Sequence, residues 1–115
     1  DWLFYIGRSY NDRWLIDRQL NGNVCEARIW DVARTQQEIW KNMYDIEDPE
    51  NEAHLAAYWK FNEGSSNDIK DYSKYHNDAH IVRYWKDFNS KEEYDVKNEE
   101  LWPSGIEVPQ VNRED

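Results

Sequence analysis

Cysteine is almost missing from this chain of 115 residues, where Cys25 is the only one. A single cysteine allows no intramolecular disulfide and no multi-cysteine metal site. Set inside a strand, with no histidine or aspartate at a spacing that would activate it, Cys25 reads as a small inert core residue. Methionine is equally scarce. Met43 stands alone and the first residue is Asp1, so the expectation is a C-terminal piece of a larger protein. Positive charge is in deficit, with 14 Lys and Arg against 24 Asp and Glu and a net charge of −10. That argues against nucleic acid, because binding phosphates needs clustered cations. No apolar run approaches the roughly 18 residues of a membrane span, and this piece carries no signal peptide. Of the three prolines, Pro103 and Pro109 each remove a ladder donor, which suits an edge or a loop.

What the chain has in abundance is aromatic residues, with seven Trp and eight Tyr. Such rings either build a small core or form a platform on which a sugar can stack. Residues 2–6 alternate as a strand that ends at Gly7, and Trp14-Leu15-Ile16 breaks a long polar connection as a second short strand. Asn21-Gly22 is a turn signal, since both residues tolerate positive φ. The strand that follows, 23–30, places Cys25, Ala27 and Ile29 on one face and Val24, Glu26, Arg28 and Trp30 on the other. Glu26 and Arg28 can pair there. Thr35-Gln36-Gln37-Glu38 spells a capping box and predicts a helix from Thr35 to about Asp45, with Ile39, Trp40, Met43 and Tyr44 on its packing stripe. A charged linker over 47–53 leads to a strand whose Leu55, Ala57, Trp59 and Phe61 point one way and Ala56, Tyr58, Lys60 and Asn62 the other. Residues 81–85 read as a return strand and 101–109 as an extended strap with Trp102 and Val108 tucked in. Residues 86–100 carry no readable element.

Two stretches resemble one known family. Leu55-Ala56-Ala57-Tyr58-Trp59-Lys60-Phe61-Asn62-Glu63-Gly64, continued by Asp71-Tyr72-Ser73 and Asn77-Asp78-Ala79-His80-Ile81, resembles the opening hairpin of laminin-G-like, concanavalin-A-type jelly-roll modules. Upstream, the stretch from Gly22 through Cys25-Glu26-Ala27-Arg28-Ile29-Trp30-Asp31 to Thr35 and Glu38-Ile39 is similar to the closing strand and exit helix of the same family. The order is the reverse of a complete module. The resemblance implies a mainly β fold, an incomplete jelly-roll-type β-sandwich with one short α-helix. It divides the chain into closing strands and exit helix (1–46), a second hairpin (54–85) and a C-terminal strap (86–115). Each motif strand is expected to leave an open ladder edge, covered by the rest of the parent chain or by a second copy.

The resemblance also implies a role: a non-catalytic glycan-binding or adhesion module of a larger protein, extracellular or at the cell surface. A structural or protein-interaction module without a sugar ligand is the rival reading. For a glycan, the candidate stacking rings are Trp30 and Tyr58. For a metal, the crowded turn offers Asp68, Asp71, Asn77 and Asp78, oxygen donors of the kind calcium takes. Two departures stand against that site: Lys74 and Tyr75 replace the small residues usual in the turn, and Cys25 stands where the family often has Asp. Glu26 and Glu63 are the conceivable carboxylate pair for glycoside cleavage. Neither sits in the arrangement of the catalytic relatives, so no catalytic residue is expected. His76 and His80 do not share a helical face, and a zinc pair is not expected.

Overall fold

The computed structural model describes residues 4–7, 9–10, 16–17, 20, 22–86 and 90–105. In chain order the elements are β1 (Ser9–Tyr10), β2 (Ile16–Asp17), β3 (Ala27–Trp30), α1 (Gln36–Lys41), a 3-10 turn (Pro49–Asn51), β4 (Leu55–Trp59), β5 (Asp68–Ile69), β6 (Ala79–His80), β7 (Tyr84–Lys86), β8 (Glu93–Asp95) and α2 (Asn98–Leu101). Strands and loops dominate, with two short helices, and the strands pair antiparallel in two-stranded sheets: β1 with β2, β3 with β4, β5 with β6, β7 with β8. Among the described residues no helix is long and apolar enough to cross a membrane.

The chain forms two compact units. One takes residues up to Asn23 together with Arg83–Val96; the other takes Val24–Val82 together with Lys97–Asp115. In the first, Ser9 lies opposite Asp17 and Tyr10 opposite Ile16. Gly7, at φ +93°, adopts a backbone that costs glycine little, and its carbonyl accepts the Leu20 N–H at 2.6 Å. Phe4, Tyr5 and Ile6 lie outside any strand and are exposed, whereas Trp2, Leu3, Trp14, Leu15 and Asn21 fall outside the described residues. Residues 84–86 and 93–95 form the other hairpin of this unit, so the stretch without a readable element contains β8 and the start of α2.

The second unit holds the described core. It grows from the pairing of the two motif strands. Ala27 faces Trp59, Arg28 faces Tyr58 and Ile29 faces Ala57, after which the register slips and Trp30 faces Leu55. The slip leaves Ala56 as an extra residue, a β-bulge that reverses the alternation on its N-terminal side. Leu55 therefore joins Tyr58, Ile46 and Trp30 rather than Ala57 and Trp59, as strict alternation predicts. On the opposite face Ala57, Trp59 and Ile69 are buried, with Ala27, Ile29, Phe61 and Trp102 among the residues packed on them. The two motif strands thus close each other's ladder on one side.

Three other expectations need correction. The strand is Ala27–Trp30, shorter than 23–30, because Glu26 at φ +52° breaks the extended run, and this leaves Cys25 exposed rather than in the core. Helix α1 has its capping box, with Thr35 Oγ1 accepting the Glu38 N–H at 3.2 Å and Glu38 Oε1 accepting the Thr35 N–H at 3.0 Å. It stops at Lys41 all the same. The Asn42 carbonyl accepts from the Arg28 guanidinium and its side-chain oxygen from Arg34 at 3.1 Å, so arginines take the acceptors at the helix end. Of the stripe, Trp40, Met43 and Tyr44 are half-buried and Ile39 is exposed. Finally, Leu101 closes a helical turn rather than opening an extended strap; residues 106–109 lie outside the described residues.

Candidate functional site

Trp30 and Tyr58 are brought together on one face of the β3–β4 ladder, and neither offers a bare ring. Tyr58 is fully buried. The reason lies in its cross-strand partner: Arg28 sits directly opposite, its guanidinium carbon 5.0 Å from the Tyr58 ring centre. Lys60 Nζ lies 5.7 Å from the same centre. The phenol donates to Glu26 Oε1 at 2.5 Å, with Asp45 Oδ1 at 3.3 Å. Glu26 Oε1 also meets Arg28 Nη2 at 2.6 Å, and Lys60 Nζ pairs with Asp45 at 3.4 Å. Burial raises the phenol's pKa above its ordinary value, and the Glu26 hydrogen bond and charge add to the effect. Two carboxylates and two cations thus enclose one hydroxyl, a network that ties β3, the turn after α1 and the end of β4.

Trp30 is half-buried, and the Arg34 guanidinium carbon lies 3.7 Å from its ring centre. Arg34 is itself held, donating to Asn42 Oδ1 and lying 3.8 Å from Glu38 Oε2. A cation–π contact of this kind is worth roughly 0.5–2 kcal/mol, and a sugar seeking that ring face would have to displace it. The stacking surface expected at Trp30 is occupied from within the chain.

The turn over 68–78 is organised around Asp71, which is fully buried. Its Oδ1 accepts the N–H groups of Tyr58 at 2.9 Å and Ser73 at 2.8 Å. Its Oδ2 accepts the Ser73 hydroxyl at 3.1 Å and the Asn77 N–H at 2.9 Å. The Asp71 N–H in turn donates to Asp78 Oδ1 at 2.9 Å. A buried carboxylate is tolerated when donors of this kind satisfy it. Asn77 contributes its backbone carbonyl, which accepts the Trp59 indole N–H at 3.1 Å. Asp68 stands elsewhere, paired with His80 Nδ1 at 3.0 Å across β5–β6. The structure therefore gathers Asp71, Asn77 and Asp78 around backbone groups and keeps Asp68 apart. Among the described residues no three His, Cys, Asp or Glu side chains form a group able to hold a metal ion.

Sequence reasoning missed Arg34, Asp45 and Lys60 as members of these arrangements. Arg34 carried a signal, four residues before Glu38 and four after Trp30. Asp45 and Lys60 carried none, since only the fold brings them to Tyr58. Glu26 and Glu63 are not a free pair: Glu26 serves Arg28 and Tyr58, and Glu63 Oε2 accepts the Lys70 N–H at 2.9 Å. No protein-family model, curated protein or solved structure matches the chain.

Proposed function

We propose that the chain is a non-catalytic structural or protein-interaction module of laminin-G-like, jelly-roll type, working outside the cell as part of a larger protein. The observation that carries the role is internal use of the ligand-type groups. The Tyr58 ring is buried, the Trp30 ring is covered by Arg34, and the Asp71 carboxylate is fully engaged. The sandwich assignment draws support from the antiparallel pairing of the closing-type strand β3 with the opening-type strand β4. The extracellular setting rests on the resemblance alone. Calcium enters this reading only through Asp68, Asn77 and Asp78, which are exposed, since the Asp71 carboxylate is fully engaged.

Glycan binding is the rival, and it needs Trp30 or Tyr58 to present a ring. A glycan array probed with the intact chain, repeated with Arg34→Ala and Trp30→Ala, separates the two. The expected result is no sugar whose binding depends on either residue. A glycan that binds more tightly when Arg34 is removed, and is lost with Trp30→Ala in a chain of unchanged circular dichroism, would return the function to carbohydrate recognition.

A further inference from the structure

Four aromatic rings of the Val24–Val82 unit carry a cation supplied by the chain itself. Arg34 lies over Trp30, Arg28 and Lys60 over Tyr58, Lys60 and Lys70 over Tyr72, and Lys74 over Tyr75. Tyr84, on the β7–β8 hairpin of the other unit, departs from that habit. It is 54% exposed, close to the 53% of Tyr75. Tyr75 has Lys74 Nζ at 5.3 Å from its ring centre, whereas no lysine or arginine among the described residues lies over Tyr84. The hairpin register places carboxylates there instead. Tyr84 faces Asp95 and Lys86 faces Glu93, so these four residues alternate onto one side of the ladder, all of them exposed. The Tyr84 hydroxyl is hydrogen-bonded to Glu93 and feels the charge of Asp95. A phenol that donates to a carboxylate gains electron density in its ring, which strengthens the attraction of that ring for a cation. Of the four, Lys86 offsets one carboxylate and leaves the face negative.

We propose that the face of the β7–β8 hairpin formed by Tyr84, Glu93 and Asp95 is a docking site for an arginine side chain of a basic partner segment. A planar guanidinium matches both parts of the face at once, stacking on an aromatic ring while its N–H groups reach carboxylates. An ammonium offers only a point charge. A metal ion would need more ligands, and among the described residues no three His, Cys, Asp or Glu side chains form a group able to hold one. Charge complementarity extends beyond the hairpin: a net charge of −10 draws a basic segment toward the chain and repels an acidic one. This names the partner chemistry for the protein-interaction reading and rests on it. A glycan bound through Trp30 would sink that reading without touching Tyr84, whereas failure at Tyr84 removes this partner and leaves Trp30 as it was.

Titration of the intact chain with an end-blocked Gly-Arg-Gly-Arg peptide, followed by nuclear magnetic resonance, tests the site, with Gly-Glu-Gly-Glu and cellotetraose as the other ligands. The expected result is weak, saturable binding of the arginine peptide alone at low ionic strength. It should perturb the Tyr84 ring and the Asp95 amide and show a nuclear Overhauser contact from the arginine methylenes to that ring. Tyr84→Leu keeps an apolar strand residue without a π face and should weaken binding at least about fivefold, as should Glu93→Gln combined with Asp95→Asn. Salt at about 0.5 M should weaken it as well. Binding that Tyr84→Leu leaves unchanged would reduce the face to a diffuse acidic surface and overturn the proposal. So would perturbation confined to other residues, or cellotetraose moving the Tyr84 ring where the peptide does not. If Tyr84→Leu does not fold, the Overhauser contact on the unmodified chain decides.

Discussion

The two compact units use the same residue vocabulary to different ends. In the Val24–Val82 unit, Tyr58 and Trp59 are interior residues with polar atoms matched to Glu26 and to the Asn77 carbonyl. In the other unit, Tyr84 and Tyr94 sit on short strands with their side chains exposed, as are those of Phe4, Ile6 and Leu20. Both units pair strands. Among the described side chains, the buried ones all stand behind the pairing of the Val24–Val82 unit, and pairing without such a layer is marginal in water. What separates them is where backbone donors end: the Tyr58 N–H on a buried carboxylate, the Val96 N–H on the Arg83 carbonyl of a hairpin.

The largest effect is expected where that carboxylate is removed. Asp71→Ala strands four donors, from Tyr58, Ser73 (two) and Asn77, in or near the interior. Loss of the satisfied acceptor should cost about 3–5 kcal/mol, enough to unfold the core-bearing unit. Urea denaturation followed by tryptophan fluorescence measures it. A change below about 1 kcal/mol would mean that the carboxylate is not what holds β4 to its turn, and the contrast between the units would lose its basis.

Next comes Tyr58→Phe, which keeps the ring and removes the hydroxyl that meets Glu26. A charge-assisted bond of this kind is worth about 1.5–3 kcal/mol, and the half-buried position of Glu26 places the loss toward the lower end. The pH dependence has a definite sign. The folded phenol titrates above its ordinary value of 10.0, so the folded state holds its proton while the unfolded state releases it. Its contribution is complete below the ordinary value and falls as pH rises beyond it. Stability of the parent chain should therefore decline more steeply than that of Tyr58→Phe from about pH 10 upward, and the gap between them should narrow. Parallel slopes would place the phenol in water.

A weaker point inside the stronger unit is the start of α1. Thr35→Ala removes one half of the capping box and should cost about 1 kcal/mol in thermal or urea unfolding. The other half responds to acid. The Thr35 N–H bond, helped by its hydroxyl and by Arg34, holds the Glu38 carboxyl below its ordinary 4.5. That half is intact above the ordinary value and weakens as pH falls through the depressed one. No change on Thr35→Ala would show that α1 is held by Trp30, Arg34 and Asn42 rather than by its cap.

Legibility in the sequence followed the range of each interaction. The capping box and the Glu26–Arg28 pair were readable because their partners lie within a few residues, and the β3 and β4 strands because their alternation is local to each. The bulge at Ala56 was not, since nothing in Leu55-Ala56-Ala57 marks which residue lacks a cross-strand partner. Burial of Tyr58 was hidden for the same reason: its enclosure needs Asp45 and Lys60, brought in by the turn after α1 and the end of β4. Asp71 was noticed for the right chemistry, an oxygen-rich group at a turn. Its geometry directs those oxygens to N–H and O–H donors of its own loop.

The smallest expected effect sharpens the comparison most directly, because it repeats a substitution already made. Tyr84→Phe removes the same atom as Tyr58→Phe, from a side chain that is 54% exposed. Its phenol is also raised, first by local desolvation and then by the charges of Glu93 and Asp95. Water reaches this group, however, and screens those charges, so the shift carries little stability. The urea midpoint should stay where it was, and the alkaline decline should match that of the parent chain. A midpoint shift as large as that of Tyr58→Phe would reveal a buried layer behind β7 and β8, and the two units would then be alike in kind.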